Sequence, residues 1–288
     1  MKRLGKMFQL VGQAALSFSD DHGFKLSASL SYYTIFALGP LLIIIISLAG
    51  IFFGKDAVQG EIYHEINGVV GNEAAAQIQD IIKNIQHSHA TVTGAIIGGI
   101  VLILGATGVF TEMQGSINFI WSVKANPKKG WLKYIINRLL SFSLVLVLSF
   151  LLLASLIVNA LLSVLSDRLI KIFPDYTVSL FNFINTAIIL VVITGLFTVI
   201  FKILPDAIIS WTDALIGSAL TALLFLLGKV IIGFYLGRSS LGITYGTAAS
   251  IIIILSWVYY SSVILYFGAE FTKVYARHHG SQAVQREG

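Results

Sequence analysis

A lysine stands inside the run Leu226-Leu227-Gly228-Lys229-Val230-Ile231-Ile232-Gly233-Phe234, which otherwise offers only hydrocarbon and glycine. An amine in such a setting attracts an anion, exchanges a proton, or stretches its stem toward water. If 215–236 is one helix crossing a membrane, Lys229 lies about 6 Å beyond the midplane at about 1.5 Å per residue. That leaves about 9 Å of a half-core of about 15 Å, a distance that a lysine stem largely covers. The helix face carrying Lys229 also carries Ser218, Ala222, Gly233 and Gly237. Small residues mark the side on which helices meet, so the amine is expected to face a bundle. Asn159, Asn182 and Asn185 fall at a similar depth in neighbouring apolar runs, as do Thr91 and Thr93. Lys229, Asn159, Asn182 and Asn185 are therefore the candidates for a ligand or ion pathway. Helix-to-helix hydrogen bonding is the structural alternative for the asparagines, and snorkelling for the lysine.

A second group gathers at the opposite end of the same runs. Glu112 and Gln114 follow one, Arg138 opens the next, Glu270 ends the last, and Tyr32 and Tyr33 lie in the first. A Glu112–Arg138 or Glu270–Arg138 pair is expected to pin helix ends or to form a gate there. Catalytic machinery is not legible. The Gly228-Lys229 pair is followed by Val230 and lacks the earlier glycine of a phosphate-binding loop, Leu223 standing in its place. The acids expected to face inside (Asp20, Asp21, Glu112, Asp206, Asp213, Glu270 and Glu287) are few and dispersed, with no histidine at ligand spacing. His87-Ser88-His89 with His64 is too sparse to define a metal site. No metal, no cofactor and no enzymatic activity are expected.

The elements that must position these residues follow from composition. Of 288 residues 56% are hydrophobic and only 11% charged, against about 25% charged in soluble domains. Such a surface belongs in lipid. There is no cysteine, hence no disulfide framework and no thiolate chemistry. Six apolar segments reach the length of about 20 residues that a spanning helix needs: roughly 28–53, 92–110, 139–162, 180–203, 215–236 and 247–271. Leu41–Ile46 and Ile251–Leu255 do not alternate as barrel strands would. The first run is too long for a signal-peptide core and shows no cleavage pattern, so it reads as a retained span.

Lysine and arginine set the orientation. With both termini inside, the inner segments hold Lys2, Arg3, Lys6, Lys25, Lys124, Lys128, Lys129, Lys133, Arg138, Lys202, Lys273, Arg277 and Arg286, thirteen in all. The outer segments hold five, Lys55, Lys83, Arg168, Lys171 and Arg238. The net charge of +5 is thus a by-product of topology, and no nucleic-acid partner is expected. The expected fold is an all-α, six-transmembrane helix bundle. It has a cytoplasmic N-terminal segment (1–27), a membrane domain (28–271) and a cytoplasmic tail (272–288) that is polar and without structure after Tyr275. Between spans one and two, Ile78, Ile81, Ile82 and Ile85 at helical spacing predict amphipathic helices on the outer face.

Three stretches carry a family resemblance: LSASLSYYTIFALGPLL (Leu26–Leu42), GVFTEMQGSINFIWSVK (Gly108–Lys124), and the run from WTDALIGSALTALLFLLGKVIIGFY to YGTAASIIIILSWVYYSSVILYFGAEFTKVYA. The motif positions are Tyr32, Tyr33, Pro40, Glu112, Asn118, Trp121, Tyr245, Gly246, Trp257, Tyr259, Gly268 and Glu270. The pattern resembles the YihY/BrkB family of bacterial inner-membrane proteins, whose members are labelled virulence factor BrkB and, in older records, ribonuclease BN. It implies one six-helix domain with cytoplasmic termini. Where relatives have Pro-Gly opening span five, this chain has Ile216-Gly217, so the resemblance does not carry a helix break to that point. The expected function is transporter-like, without ATP hydrolysis, in contact with membrane lipids and acting on a lipid, an anionic solute or a coupled ion. The rival is a non-transporting scaffold for cell-envelope partners; a ribonuclease fits poorly with the missing metal-ligand cluster.

Overall fold

The computed structural model describes residues 2–37, 75–80, 92–123, 174–238, 245, 248–279 and 284–285. Its helices are α1 (Lys2–Asp20), α2 (23–37), α3 (75–80), α4 (Val92–Ile120), α5 (Pro174–Ile203), α6 (Trp211–Gly237) and α7 (Ala249–His278). The only strands among the described residues are β1 (Ala207–Ile208) and β2 (Val284–Gln285), paired antiparallel.

Local chemistry explains the boundaries. Proline opens α5, where its missing N–H costs nothing, and Pro205 follows its end. Ser210 caps α6 by accepting a hydrogen bond from the Asp213 amide at 3.1 Å, with the Asp213 carboxylate in the positive first turn. His22 (φ 56°) and Ser122 (φ 55°) adopt the left-handed conformation that ends α1 and α4. The His22 carbonyl then accepts the Lys25 and Leu26 amides, so α2 starts at once in a new direction.

Among the described residues, three helices are long and apolar enough to cross a membrane: Thr186–Ile203, Trp211–Gly237 and Ile251–His278. At about 1.5 Å per residue, the 30 residues of α7 outrun a hydrocarbon core of about 30 Å, so an end projects. Helices occupy the runs expected at 92–110, 180–203, 215–236 and 247–271. The run 28–53 is described only to residue 37, and 139–162 lies outside the described residues. One expectation is corrected. The tail is not structureless: α7 runs to His278, and Val284–Gln285 pairs with Ala207–Ile208. The N-terminal segment forms an amphipathic helix docked on α7, because Leu10, Ala14 and Phe18 recur on one face and are buried there.

The core lies at one end of the bundle. It joins Phe18 and Leu30 to the C-terminal parts of α4 (Phe110, Ile117), α5 (Phe197, Phe201) and α7 (Tyr266, Ala269), to Trp121 just after α4, and to Ala214 and Ala222 of α6. Phe197, Phe225 and Trp257 form edge-on contacts at 6.2 and 5.8 Å that carry the packing across α5, α6 and α7. Helices α6 and α7 run antiparallel in a close register. A Cβ at Gly217 would strike the Thr272 side chain, and one at Gly268 would strike Thr221. Each threonine hydroxyl is already turned back on its own helix, Thr221 to the Gly217 carbonyl and Thr272 to the Gly268 carbonyl, both at 2.7 Å. Two Gly-x-x-x-Thr steps thus interlock reciprocally. Along the other face of α6, Leu223, Leu227, Val230, Ile231 and Phe234 are exposed, as lipid-facing side chains are. No break interrupts α6 at Gly217.

Candidate functional site

Polar residues recur along one face of α7 at steps of three and four: Tyr259, Ser262, Tyr266, Glu270, Lys273 and Arg277. The series runs from the interior of the helix to its C-terminal end. Ser262, Tyr266, Glu270 and Lys273 are buried, Tyr259 is half-buried and Arg277 exposed. Ser262 satisfies itself on the Val258 carbonyl at 2.8 Å. The Tyr266 hydroxyl has no hydrogen-bond partner of sound geometry among the described residues. Ser116 and Glu112 of α4 lie beside it.

Below Tyr266 the row meets the turn between α1 and α2. The Lys273 ammonium lies 2.9 Å from Asp21 Oδ2 and 3.2 Å from Glu270 Oε2. The first contact is a directed hydrogen bond. The second is an ion pair without hydrogen-bond alignment, so neither oxygen of the fully buried Glu270 (0% exposed) makes a well-aligned hydrogen bond, although Lys273 and Asp21 both stand against it. Burial pushes the Asp21 carboxyl up. Its contacts with Glu270 and Lys273, and the charges of Lys273 and Arg277, outweigh burial and hold it below the ordinary carboxylate range. Two carboxyl groups therefore share one ammonium in a site largely closed to water.

A second polar lock closes the same end of the bundle. Asn118, buried near the end of α4, donates to Asp206 Oδ2 at 2.9 Å and accepts from the Asp206 amide at 2.8 Å. Lys202 donates to the Ile209 carbonyl and stands 5.5 Å from the centre of the Trp211 ring. A groove of about 570 Å³ runs between α1 and the end of α7, bordered by Lys6, Gln9, Gln13 and Asp20 on one side and Arg277 and His278 on the other.

The residues singled out in the sequence are distributed as follows. Glu270 and Glu112 belong to the α7 row and its neighbourhood. Tyr32 and Tyr33 are exposed on α2, their rings edge-on at 5.8 Å. The ring of Tyr33 covers Gly108, where a Cβ would come within 2.9 Å of it. Lys229 is half-buried on the flank of the buried face of α6, turned away from the exposed stripe. Of the small residues on its face, Ser218 and Ala222 are fully buried, Gly233 meets nothing within 4 Å, and Gly237 is exposed. Asn182 and Asn185 lie on α5, with side chains outside the described residues; Arg138 and Asn159 lie outside them altogether. Among the described residues no group of histidines and carboxylates could hold a metal ion.

Sequence reasoning missed Asp21 and Lys273. The inward acids read as dispersed, yet Asp21 and Glu270 flank one lysine. The spacing of Tyr266, Glu270 and Lys273 was a usable signal, since it places three polar groups on one helix face. Asp21 gave none, because its partner is 252 positions away.

The family described as Virulence factor BrkB matches residues 14–287. A UPF0761 membrane protein of Rhodospirillum centenum is 30% identical over 94% of this chain and 58% of its own length. One from Saccharophagus degradans is 28% identical over 95% of this chain and 60% of its own. A third, from Tolumonas auensis, is 28% identical over 86% of this chain and 78% of its own. The chain spans 58% and 60% of the first two relatives. No solved structure matches. An apolar helical bundle with a family match over nearly its whole length leads to one conclusion: this chain belongs to the virulence factor BrkB family of membrane proteins.

Proposed function

We propose that the chain is a six-span, transporter-like protein of the bacterial cytoplasmic membrane, with both termini in the cytoplasm. It moves a lipid, an anionic solute or a coupled ion without hydrolysing ATP. The observation that carries this reading is the row of buried polar groups on α7, in which the wholly buried Glu270 stands against Lys273 and Asp21. Buried ionisable groups in an apolar bundle are costly unless paired, and they mark ion and substrate paths more often than they serve stability alone. The excess of lysine and arginine in alternate connections supports the orientation. Two carboxyl groups facing one ammonium balance their charge when the carboxyls hold one proton between them, so a proton is the coupled ion that this cluster fits. Lys229, at the other end of the path, would attract an anionic group. Asn159, Asn182 and Asn185 would share its level, and Glu112, Arg138, Tyr32 and Tyr33 the gate at the inner end.

Flux in reconstituted vesicles tests the reading. Imposing a pH gradient should drive proton or solute movement that Glu270→Gln and Lys229→Leu each reduce at least tenfold. Thermal unfolding in detergent must show that both variants remain folded. Wild-type flux in both folded variants removes these residues from the mechanism. The alternative, a scaffold for cell-envelope partners, is favoured by the interlocked seam of α6 and α7, which leaves little room for sliding. A stoichiometric partner recovered by cross-linking in cells, with no flux in vesicles, would decide for it.

A further inference from the structure

Helix α1 has two apolar faces and only one of them is covered. Leu10 and Ala14 are buried against Phe271, with Ile216 and Leu220 of α6 close by, and Phe18 is buried beside Phe267. About a third of a turn away, Phe8, Gly12, Ala15 and Leu16 form a second strip at helical spacing. All four are exposed, Phe8 at 75% and Leu16 at 69%. Ser19 is exposed within this strip, and Leu16 stands at its edge, where it also borders the groove along the remaining, polar sector of Lys6, Gln9, Gln13 and Asp20. A helix in water has no use for the second strip. A helix with protein on one side, water on another and acyl chains on the third accounts for all three sectors.

Two further observations name what covers the strip. The first is position: α1 docks where α6 begins and α7 ends, at the end of two helices able to cross the membrane. The second is charge. Lys6, Lys25 and Arg277 are exposed at this end, and Lys2 and Arg3 precede them in sequence; of the acids described there only Asp20 is exposed, Asp213 and Glu270 being buried, Asp206 held by Asn118 and Asp21 paired with Lys273. Cations beside an exposed apolar strip fit the anionic headgroups of a membrane leaflet.

We propose that α1 lies in the headgroup layer, with Phe8 and Leu16 inserted among the upper acyl carbons and Lys6 at the level of the phosphates. The partner of the second face is an anionic lipid surface, which on the topology proposed above is the cytoplasmic leaflet. The helix thereby braces Asp21 against Lys273 from the membrane side.

The absence of cysteine makes the test direct. Phe8→Cys and Gln13→Cys variants of the full chain, each carrying a nitroxide, are reconstituted in vesicles of phosphatidylcholine with phosphatidylglycerol. Collisions with oxygen, which concentrates in lipid, are compared with collisions with a water-soluble nickel chelate. The oxygen-to-nickel ratio at position 8 should exceed that at position 13 several-fold, at a depth of about 5–10 Å. Replacing phosphatidylglycerol by phosphatidylcholine should lower the ratio at position 8. Equal, water-like ratios at both positions would overturn the proposal. So would protection of position 8 from both reagents, which would assign the strip to a second copy or another protein. A ratio at position 8 that ignores headgroup charge would remove the anionic lipid.

Discussion

The Lys273 ammonium lies 2.9 Å from the Asp21 carboxylate, joining residues 252 positions apart. This contact ties the turn after α1 to the last turns of α7, and it does so beside a glutamate that is wholly buried. The lysine is thus both a latch and the counter-charge of Glu270.

Removing that counter-charge should be severe. Lys273→Met leaves a buried carboxylate unpaired, and breaking a buried pair costs on the order of 3–5 kcal/mol. The double variant Lys273→Met/Glu270→Gln should recover part of the loss, because the wholly buried charge is gone while the partly buried Asp21 still lacks its partner. Thermal unfolding in detergent measures both. Additive losses in the double variant would show that the two residues do not act on each other.

The pH dependence has a definite sign. The folded Asp21 carboxyl titrates below the ordinary carboxylate value of about 3.9. Its stabilising contribution is therefore fully present above that value and is lost as pH falls through the lower folded value. The gap in unfolding temperature between wild type and Asp21→Asn should stay constant from neutral pH to about pH 5 and close below about pH 4. A gap that closes between neutral pH and pH 5 contradicts the assignment.

The glycine seam should tolerate nothing larger. Gly217→Ala and Gly268→Ala each drive a methyl into a threonine of the facing helix, an overpacking cost of about 1–3 kcal/mol. Gly195→Ala and Gly233→Ala meet nothing within 4 Å and should be neutral or stabilising by about 0.5–1 kcal/mol. Unfolding temperatures of the four variants, ranked side by side, check the register of α6 on α7.

Asn118 holds Asp206 by its carboxylate and its amide together. Asn118→Ala should cost about 1–3 kcal/mol, since the Asp206 amide loses its acceptor. Asn118→Asp should cost more, because it sets two carboxylates face to face. A stability unchanged in both variants would mean that water replaces the amide without loss.

Much of this molecule was legible before any tertiary contact was known. The low charge, the apolar runs and their spacing announce helices made for lipid, because a helix satisfies its own backbone and hydropathy is a local property. Ser210, Pro174 and Pro205 mark helix ends through chemistry that acts over one turn. The polar row from Tyr259 to Arg277 could be read from helical spacing alone. The amphipathic nature of Lys2–Asp20 is legible too, since Leu10, Ala14 and Phe18 recur at helical spacing among polar residues.

What tertiary structure decided is which of these groups meet. Asp21 and Glu270 were two acids among seven until the fold placed Lys273 between them. Gly217 looked like one small residue among many until Thr272 came to rest on it. The pairing of Val284–Gln285 with Ala207–Ile208 has no local sign at all. The reason is physical: helix propensity and hydropathy depend on neighbours in sequence, whereas a counter-charge or a steric fit depends on a partner that only folding brings near.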